Sequence, residues 1–274
     1  MKRLVVFGSV IVLIACGAAF YLTKLGHGIS SLLPDPDECT ATVEKHQVTL
    51  TPEQGQNAAL IAAIAVHRGL PAHAATIAIA TAMQESKLYN LNGGDRDSLG
   101  LFQQRPSQGW GTAQQVMDPV YAINAFYNAL VKLPNFQSVT VTQAAQEVQH
   151  SAYPNAYAQH ETDARTLASA LTGYSPHTFG CHQATPAGAA KGLQVRKEVT
   201  SLFGLQGVVR GQQLSIPVTN ATLGWAVAQY LVAQGPRFGL HAISYAGWRW
   251  ATGSDGSWQQ ASATPGGQVV VQLS

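Results

Sequence analysis

The first stretch of the pattern is apolar without interruption. Leu4 to Thr23 is a run of 20 residues with no charge, which at ~1.5 Å per residue spans a ~30 Å hydrocarbon core. Lys2 and Arg3 precede it, and basic flanks stay on the cytoplasmic side, so the run predicts a single-pass anchor with the rest of the chain outside. A cleaved signal peptide and a secreted chain is the alternative, since a signal has a shorter apolar core. Leu13-Ile14-Ala15-Cys16 also resembles a lipid-attachment box at Cys16, but the apolar run continues through Ala18, Ala19, Phe20 and Leu22. Ser31 to Glu38 is a polar, Pro-containing spacer.

Helical signals follow. Thr51-Pro52-Glu53-Gln54 is a helix start, with a capping threonine, a proline at the first helical position and Gln three residues on. Gly69 ends that helix, and Pro71 opens a second that runs to about Leu88. From Ala74 to Met83 every position is small or apolar, the mark of a helix buried on all sides. Asn90 to Arg96, rich in Asn, Gly and Asp, reads as a turn or short hairpin. Asp118-Pro119 starts a helix to about Leu133, and Thr142 to Ser151 and Pro154 to Leu171 supply two more.

Beyond a Pro-, Gly- and Ala-rich stretch, the rhythm changes. Thr222 to Gln234 reads as a helix, and Gln213 to Val218, His241 to Tyr245 and Gln268 to Leu273 read as strands. No regular alternation of helices and strands appears, which disfavours a parallel sheet. The expected fold class is therefore mainly α: a helical domain with a short β-hairpin, a small C-terminal α+β domain and an N-terminal transmembrane helix. The boundaries expected are 1–38 for anchor and spacer, 39–173 for the helical domain, 174–192 for a linker and 193–274 for the accessory domain.

Composition narrows the function. The chain has 16 Lys and Arg and 14 Asp and Glu, only 11% of its residues. So few charges exclude a charged disordered tail, and nothing clusters the Lys and Arg that a nucleic-acid binder needs. Cys39 to Gly173 holds seven basic and nine acidic residues, net −2, whereas Ala184 to Ser274 holds six and two, net +4. With Cys16 in the apolar run, Cys39 and Cys181 remain as a pair flanking the best-patterned stretch, and a disulfide between them is expected in an oxidising compartment. A cysteine nucleophile at Cys181-His182 lacks an activating context. The nine His show no metal-ligand spacing, so neither a metal nor a cofactor is expected. Trp248, Trp250 and Trp258 are read as packing of a small core ahead of sugar stacking.

One acid stands out. Glu85 is the only acidic residue between Glu53 and Asp95, and it sits at the C-terminal end of the buried helix. An apolar setting and the negative helix end both disfavour its ionised form, with Lys87 opposing weakly, so a raised pKa suited to a general acid is expected. On helix position alone, a surface acid paired with Lys87 or Arg96 is the competing reading.

The residues that follow change that balance. Glu85-Ser86, then Ser98-Leu99-Gly100-Leu101-Phe102-Gln103-Gln104-Arg105-Pro106, resembles the signature of lysozyme-like lytic transglycosylases, where Glu-Ser at a helix end precedes Gly-Leu-Met-Gln and a proline. Phe102 stands where Met is usual. Asp118-Pro119 followed by Phe126-Tyr127 and Leu130 is similar to the family's next landmark, and Arg105 to Gly111 is similar to lysozyme-like domains of secreted wall proteins of high-GC Gram-positive bacteria and of phage tails. The resemblance spans roughly residues 50–172. It departs where Ala-Tyr-Asn-Ala-Gly is usual, since Ala152-Tyr153-Pro154-Asn155-Ala156 stands there and only Tyr153 carries over.

The resemblance implies a glycosidase acting on peptidoglycan glycan strands. Glu85 would be the general acid, with Ser98, Gly100, Gln103, Gln104 and Tyr153 shaping or contacting the substrate groove. A lytic transglycosylase needs only Glu85, whereas a hydrolase needs a second carboxylate, for which Asp95 and Asp97 are the candidates. A catalytically silent wall-binding module, or a structural module associated with secretion, is the alternative from another class.

Overall fold

Alternation of buried and exposed positions begins before the first helix. The computed structural model describes residues 37–150, 155–183, 191–261 and 266–273. Strand β1 (Glu38–Val43) buries Cys39 and Ala41 between more exposed neighbours. Strand β2 (His46–Leu50) buries Val48 and Leu50 in the same rhythm, after a turn in which Glu44 takes a left-handed φ of 55°. Both then face one core with alternate side chains.

Helix α1 (Pro52–His67) starts as its sequence requires: Thr51 accepts from the Gln54 N–H, and the Gln54 side chain accepts from the Thr51 N–H. In helix α2 (Ala72–Ser86) all residues from Ala74 to Ala82 are buried. Its many alanines present little bulk, so neighbouring helices close in from several sides. A short helix α3 (Ala113–Val116) leads to α4 (Pro119–Leu130), whose Asp118 cap accepts from the Val120 and Tyr121 N–H groups. Helices α5 (Val141–Gln149) and α6 (Glu161–Leu171) complete this part, and α1, α5 and α6 all pack on α2.

Strand β3 (Phe179–His182) returns to pair antiparallel with β1, giving the order β2-β1-β3 and placing Cys39 opposite Cys181. The two form a disulfide. Helix α7 (Gly192–Phe203), strands β4 (Val208–Arg210) and β5 (Gln213–Pro217), helix α8 (Ala221–Phe238) and strands β6 (Ala242–Tyr245), β7 (Trp248–Ala251), β8 (Gln259–Gln260) and β9 (Gln268–Gln272) follow. The second sheet has the order β4-β5-β9-β6-β7-β8 with antiparallel pairing throughout.

Helix α8 joins the two parts. It packs on the second sheet through β6 and β9, on β3, and on α1. The buried Gln229 accepts from the Thr178 and Phe179 N–H groups and donates to the Ala170 carbonyl at 2.6 Å. Gln234 donates to the Gln56 carbonyl at 3.2 Å. The indoles of Trp250 and Trp258 donate to the Cys181 and Phe179 carbonyls, so these two tryptophans are core residues that seat the small sheet on the large one. Residues 37–274 cluster as one compact unit, and the segment read as a linker contributes β3.

Two expectations are corrected. The fold is not mainly α: helices make up 46% and strands 19%, in two antiparallel sheets of three and six strands. Strands β1 and β2 lie in short segments where threonine or glutamine alternates with single apolar residues, and the other unexpected strands are only two to four residues long. Such segments become strands only because a partner strand and a helical layer are supplied from elsewhere in the chain. The Asn90–Arg96 hairpin reduces to isolated bridges, Leu91 with Gly100 and Leu99 with Gln104. The single-pass membrane assignment is also overturned, because among the described residues no helix is long and apolar enough to cross a membrane. The longest, α8, has 18 residues, buries Gln229 and Gln234 in a protein core and contains Pro236. Residues 4–23 and Cys16, on which that expectation rested, lie outside the described residues.

Candidate active-site cleft

The end of α2 is where the chemistry gathers. Lys87 and Leu88 both adopt left-handed backbone, with φ of 54° and 63°, and close the helix by donating to the Met83 and Ala82 carbonyls. Leu88 is buried, and α1 accepts the turn: Asn57 donates to the Leu88 carbonyl at 2.7 Å and Gln54 to the Lys87 carbonyl at 2.9 Å. Ser86 Oγ donates to the Leu101 carbonyl at 2.7 Å, tying the helix end to the segment that carries the Gly100-Leu101-Phe102-Gln103 motif. Phe102 is buried and stacks on Phe126 of α4 with ring centroids 4.6 Å apart. Glu85 therefore projects from a helix terminus fixed on three sides.

Its carboxyl is half-buried and held by two donors. Tyr157 Oη donates to Glu85 Oε1 at 2.8 Å, and Gln149 is the second partner. Gln149 also donates to the Phe102 carbonyl at 2.8 Å, so its amide spans the motif and the acid. Burial raises the Glu85 pKa above the ordinary carboxylate value, and the hydrogen bonds from Tyr157 and Gln149 oppose that rise without cancelling it. The direction is the one expected, but the opposing groups are Tyr157 and Gln149; Lys87 is exposed.

Glu85 opens into a cleft of about 890 Å³, which Asp95, Ser98, Gln103, Trp110 and Gln149 also line. The sequence-chosen residues divide here. Asp95 is exposed and pairs loosely with Arg96 at 3.9 Å. Asp97 is instead a turn anchor: Arg105 Nε donates to it at 2.8 Å, the Ser107 N–H at 2.8 Å and Ser107 Oγ at 2.9 Å. Those bonds hold its carboxyl well below the usual carboxylate range. Gln103 keeps its amide folded onto the loop, donating to the Gly93 and Gly100 carbonyls at 3.4 and 3.2 Å.

Gly100 and Gln104 support the cleft without lining it. Gly100 has φ of 76°, and a Cβ there would lie 2.4 Å from the Val116 carbonyl oxygen, so only glycine fits. Gln104 is buried and donates to the Ala122 carbonyl at 3.1 Å. Tyr153 lies outside the described residues. Tyr157, four residues later, is the tyrosine on Glu85, and the motif resemblance does not point to it. The repeat Ala152-Tyr153 and Ala156-Tyr157 offered both tyrosines with nothing local to choose between them. Gln149 carries no sequence signal at all, because many glutamines lie on helices of this chain.

Among the described residues no cluster of three or more His, Cys, Asp or Glu side chains is arranged to hold a metal ion. Compared with known proteins, the chain matches no family model and no curated protein.

Proposed function

We propose that this chain is a peptidoglycan glycosidase that cleaves the glycan strand between N-acetylmuramic acid and N-acetylglucosamine, with Glu85 as general acid and base. The observation that carries the reading is Glu85 itself: a half-buried carboxyl with a raised pKa, fixed by Tyr157 and open to a cleft of polysaccharide-accommodating size. The ordered motif resemblance supports the same chemistry and supplies the substrate.

Protonated Glu85 gives its proton to the glycosidic oxygen as the bond to the muramoyl anomeric carbon breaks. Positive charge then develops at that carbon and ring oxygen, while Glu85 becomes a carboxylate stabilised by the Tyr157 hydroxyl and the Gln149 amide. In the transglycosylase route the muramoyl 6-hydroxyl attacks the anomeric carbon, its proton returns to Glu85, and a 1,6-anhydro ring closes. This route needs one carboxyl group. Asp97 is committed to Arg105 and Ser107, which favours this route over a hydrolysis that relies on Asp97.

The test is clearing of purified cell walls by the protein and by Glu85→Gln, with mass spectrometry of the fragments. Clearing by the wild type alone, with 1,6-anhydromuramoyl ends, is the expected result. Reducing ends would replace transglycosylase by hydrolase. Equal clearing by both proteins would remove Glu85 from the chemistry, and clearing by neither would leave the catalytically inactive wall-binding module as the reading.

A further inference from the structure

Three cationic side chains line the cleft, and they are not equivalent. Arg105 is held by Asp97 at 2.8 Å, and Arg96 lies 3.9 Å from Asp95. Lys132 is exposed at the chain turn after α4, and among the described residues no carboxylate lies within ion-pair distance of it. Its backbone is set by a hydrogen bond from its N–H to the Ala129 carbonyl, so the side chain starts from a defined place on the cleft wall.

Trp110 lines the same cleft and is half-buried against the core. Its carbonyl accepts from Tyr121 Oη at 3.2 Å. The next residue, Gly111, has φ of 132°, and a Cβ there would meet the Tyr121 hydroxyl at 2.6 Å, so the backbone is pressed against that ring. A half-buried indole on a held backbone and an ammonium with no carboxylate beside it among the described residues, lining one groove, are complementary to a sugar that carries an acid: the ring takes the apolar sugar face and the ammonium takes the carboxylate. Besides Glu85, the acids Asp95 and Glu147 line the cleft, which makes the position of the carboxylate selective.

Resting on the glycosidase reading above, we infer that Trp110 and Lys132 form a subsite that selects acid-bearing glycan strands over neutral N-acetylglucosamine polymers. The shared chemistry is a carboxylate on or near the muramoyl 3-substituent. It has two sources, the lactyl group of peptide-free strands and the stem peptide of substituted ones.

Three substrates separate the outcomes: peptide-free muramoyl strands, the same strands with their carboxyls converted to amides, and chitin oligomers, with peptide-substituted strands as a fourth arm. The wild type is expected to cleave the acid-bearing strands with a lower KM than the amidated ones, and Lys132→Met to lose that preference. An exposed charge pair supports a change of roughly two- to fivefold in KM, with kcat little altered. Lys132→Arg should retain the preference. Trp110→Ala should raise KM for all strands alike, roughly two- to tenfold, and Trp110→Phe should recover part of the loss, which separates stacking from a folding defect. A preference on peptide-substituted strands alone assigns the carboxylate to the stem peptide.

A Lys132→Met protein with an intact preference overturns the inference while leaving the glycosidase reading in place. Unchanged KM values in Trp110→Ala do the same for the indole. Absence of cleavage of every strand by the wild type overturns both readings together.

Discussion

Tyr157→Phe should shift the alkaline limb of the pH–activity profile upward. Glu85 must carry a proton to act on the glycosidic oxygen, so activity falls as pH rises through its pKa. Burial raises that pKa, and the hydroxyl of Tyr157, 2.8 Å from Oε1, is the first of two groups that hold it back by donating to the ionised form. Removing the donor leaves burial less opposed. Tyr157 is fully buried, so water has no ready route to the vacated position. A hydrogen bond to a charged group contributes about 1.5–3 kcal/mol, enough to move the limb upward by a readily measured amount. Gln149 still donates in the variant, so burial stays partly opposed. The assay is the initial rate at low substrate across the acid-to-alkaline range, where the limb reports the free protein. A limb that stays put or moves down would refute the reasoning, because either Tyr157 does not donate to ionised Glu85 or Glu85 is not the acid. Gln149→Leu should move the limb in the same direction by less.

Other consequences concern stability. The folded chain binds the Glu85 proton more tightly than the unfolded chain does, so stability should fall as pH rises from the ordinary carboxylate value to the raised one. Glu85→Gln should remove that slope and be the more stable protein on its alkaline side; denaturant midpoints measured against pH check this, and a parallel pair of curves contradicts it. Replacing both Cys39 and Cys181 by Ser opens a loop of 142 residues in sequence separation and should cost about 2–5 kcal/mol, read as a lower unfolding midpoint that reductant no longer changes. Gly100→Ala forces a Cβ to within 2.4 Å of the Val116 carbonyl at φ 76° and should cost at least about 1–3 kcal/mol, seen as a fall in Tm. An unchanged Tm would mean that the motif loop yields easily.

Much of the helical part was legible because its signals are local. The Thr51 and Asp118 caps, the prolines that follow them and the all-apolar stretch of α2 act within a few residues, and the helices start at Pro52 and Pro119 as read. Helix α7 is hard to read from the sequence because no apolar run marks it: only five of its twelve residues are buried. Strands β1, β2 and β3 are weakly marked for a related reason. The Thr- and Gln-containing segments of β1 and β2 bury only alternate residues, and β3, just four residues long, is stabilised by β1, which lies some 140 residues earlier in the chain. Asp97 looked like a candidate second carboxylate because its sequence neighbours do not reveal that Arg105 and Ser107 fold back onto it.

By itself the sequence determined that Glu85 ends a buried helix, that Cys39 and Cys181 are available to each other, and that a glycine-containing motif follows the acid. Those properties depend on contiguous residues, whose geometry the helix repeat and the backbone dictate. Only the tertiary structure decided which groups surround the acid. Tyr157 reaches Glu85 across 72 positions, Gln149 reaches it from a separate helix, and Trp110 and Lys132 enter the same cleft from two further segments. The proton affinity of Glu85 is set by burial and by donors that arrive through packing, and packing is a property of the whole chain.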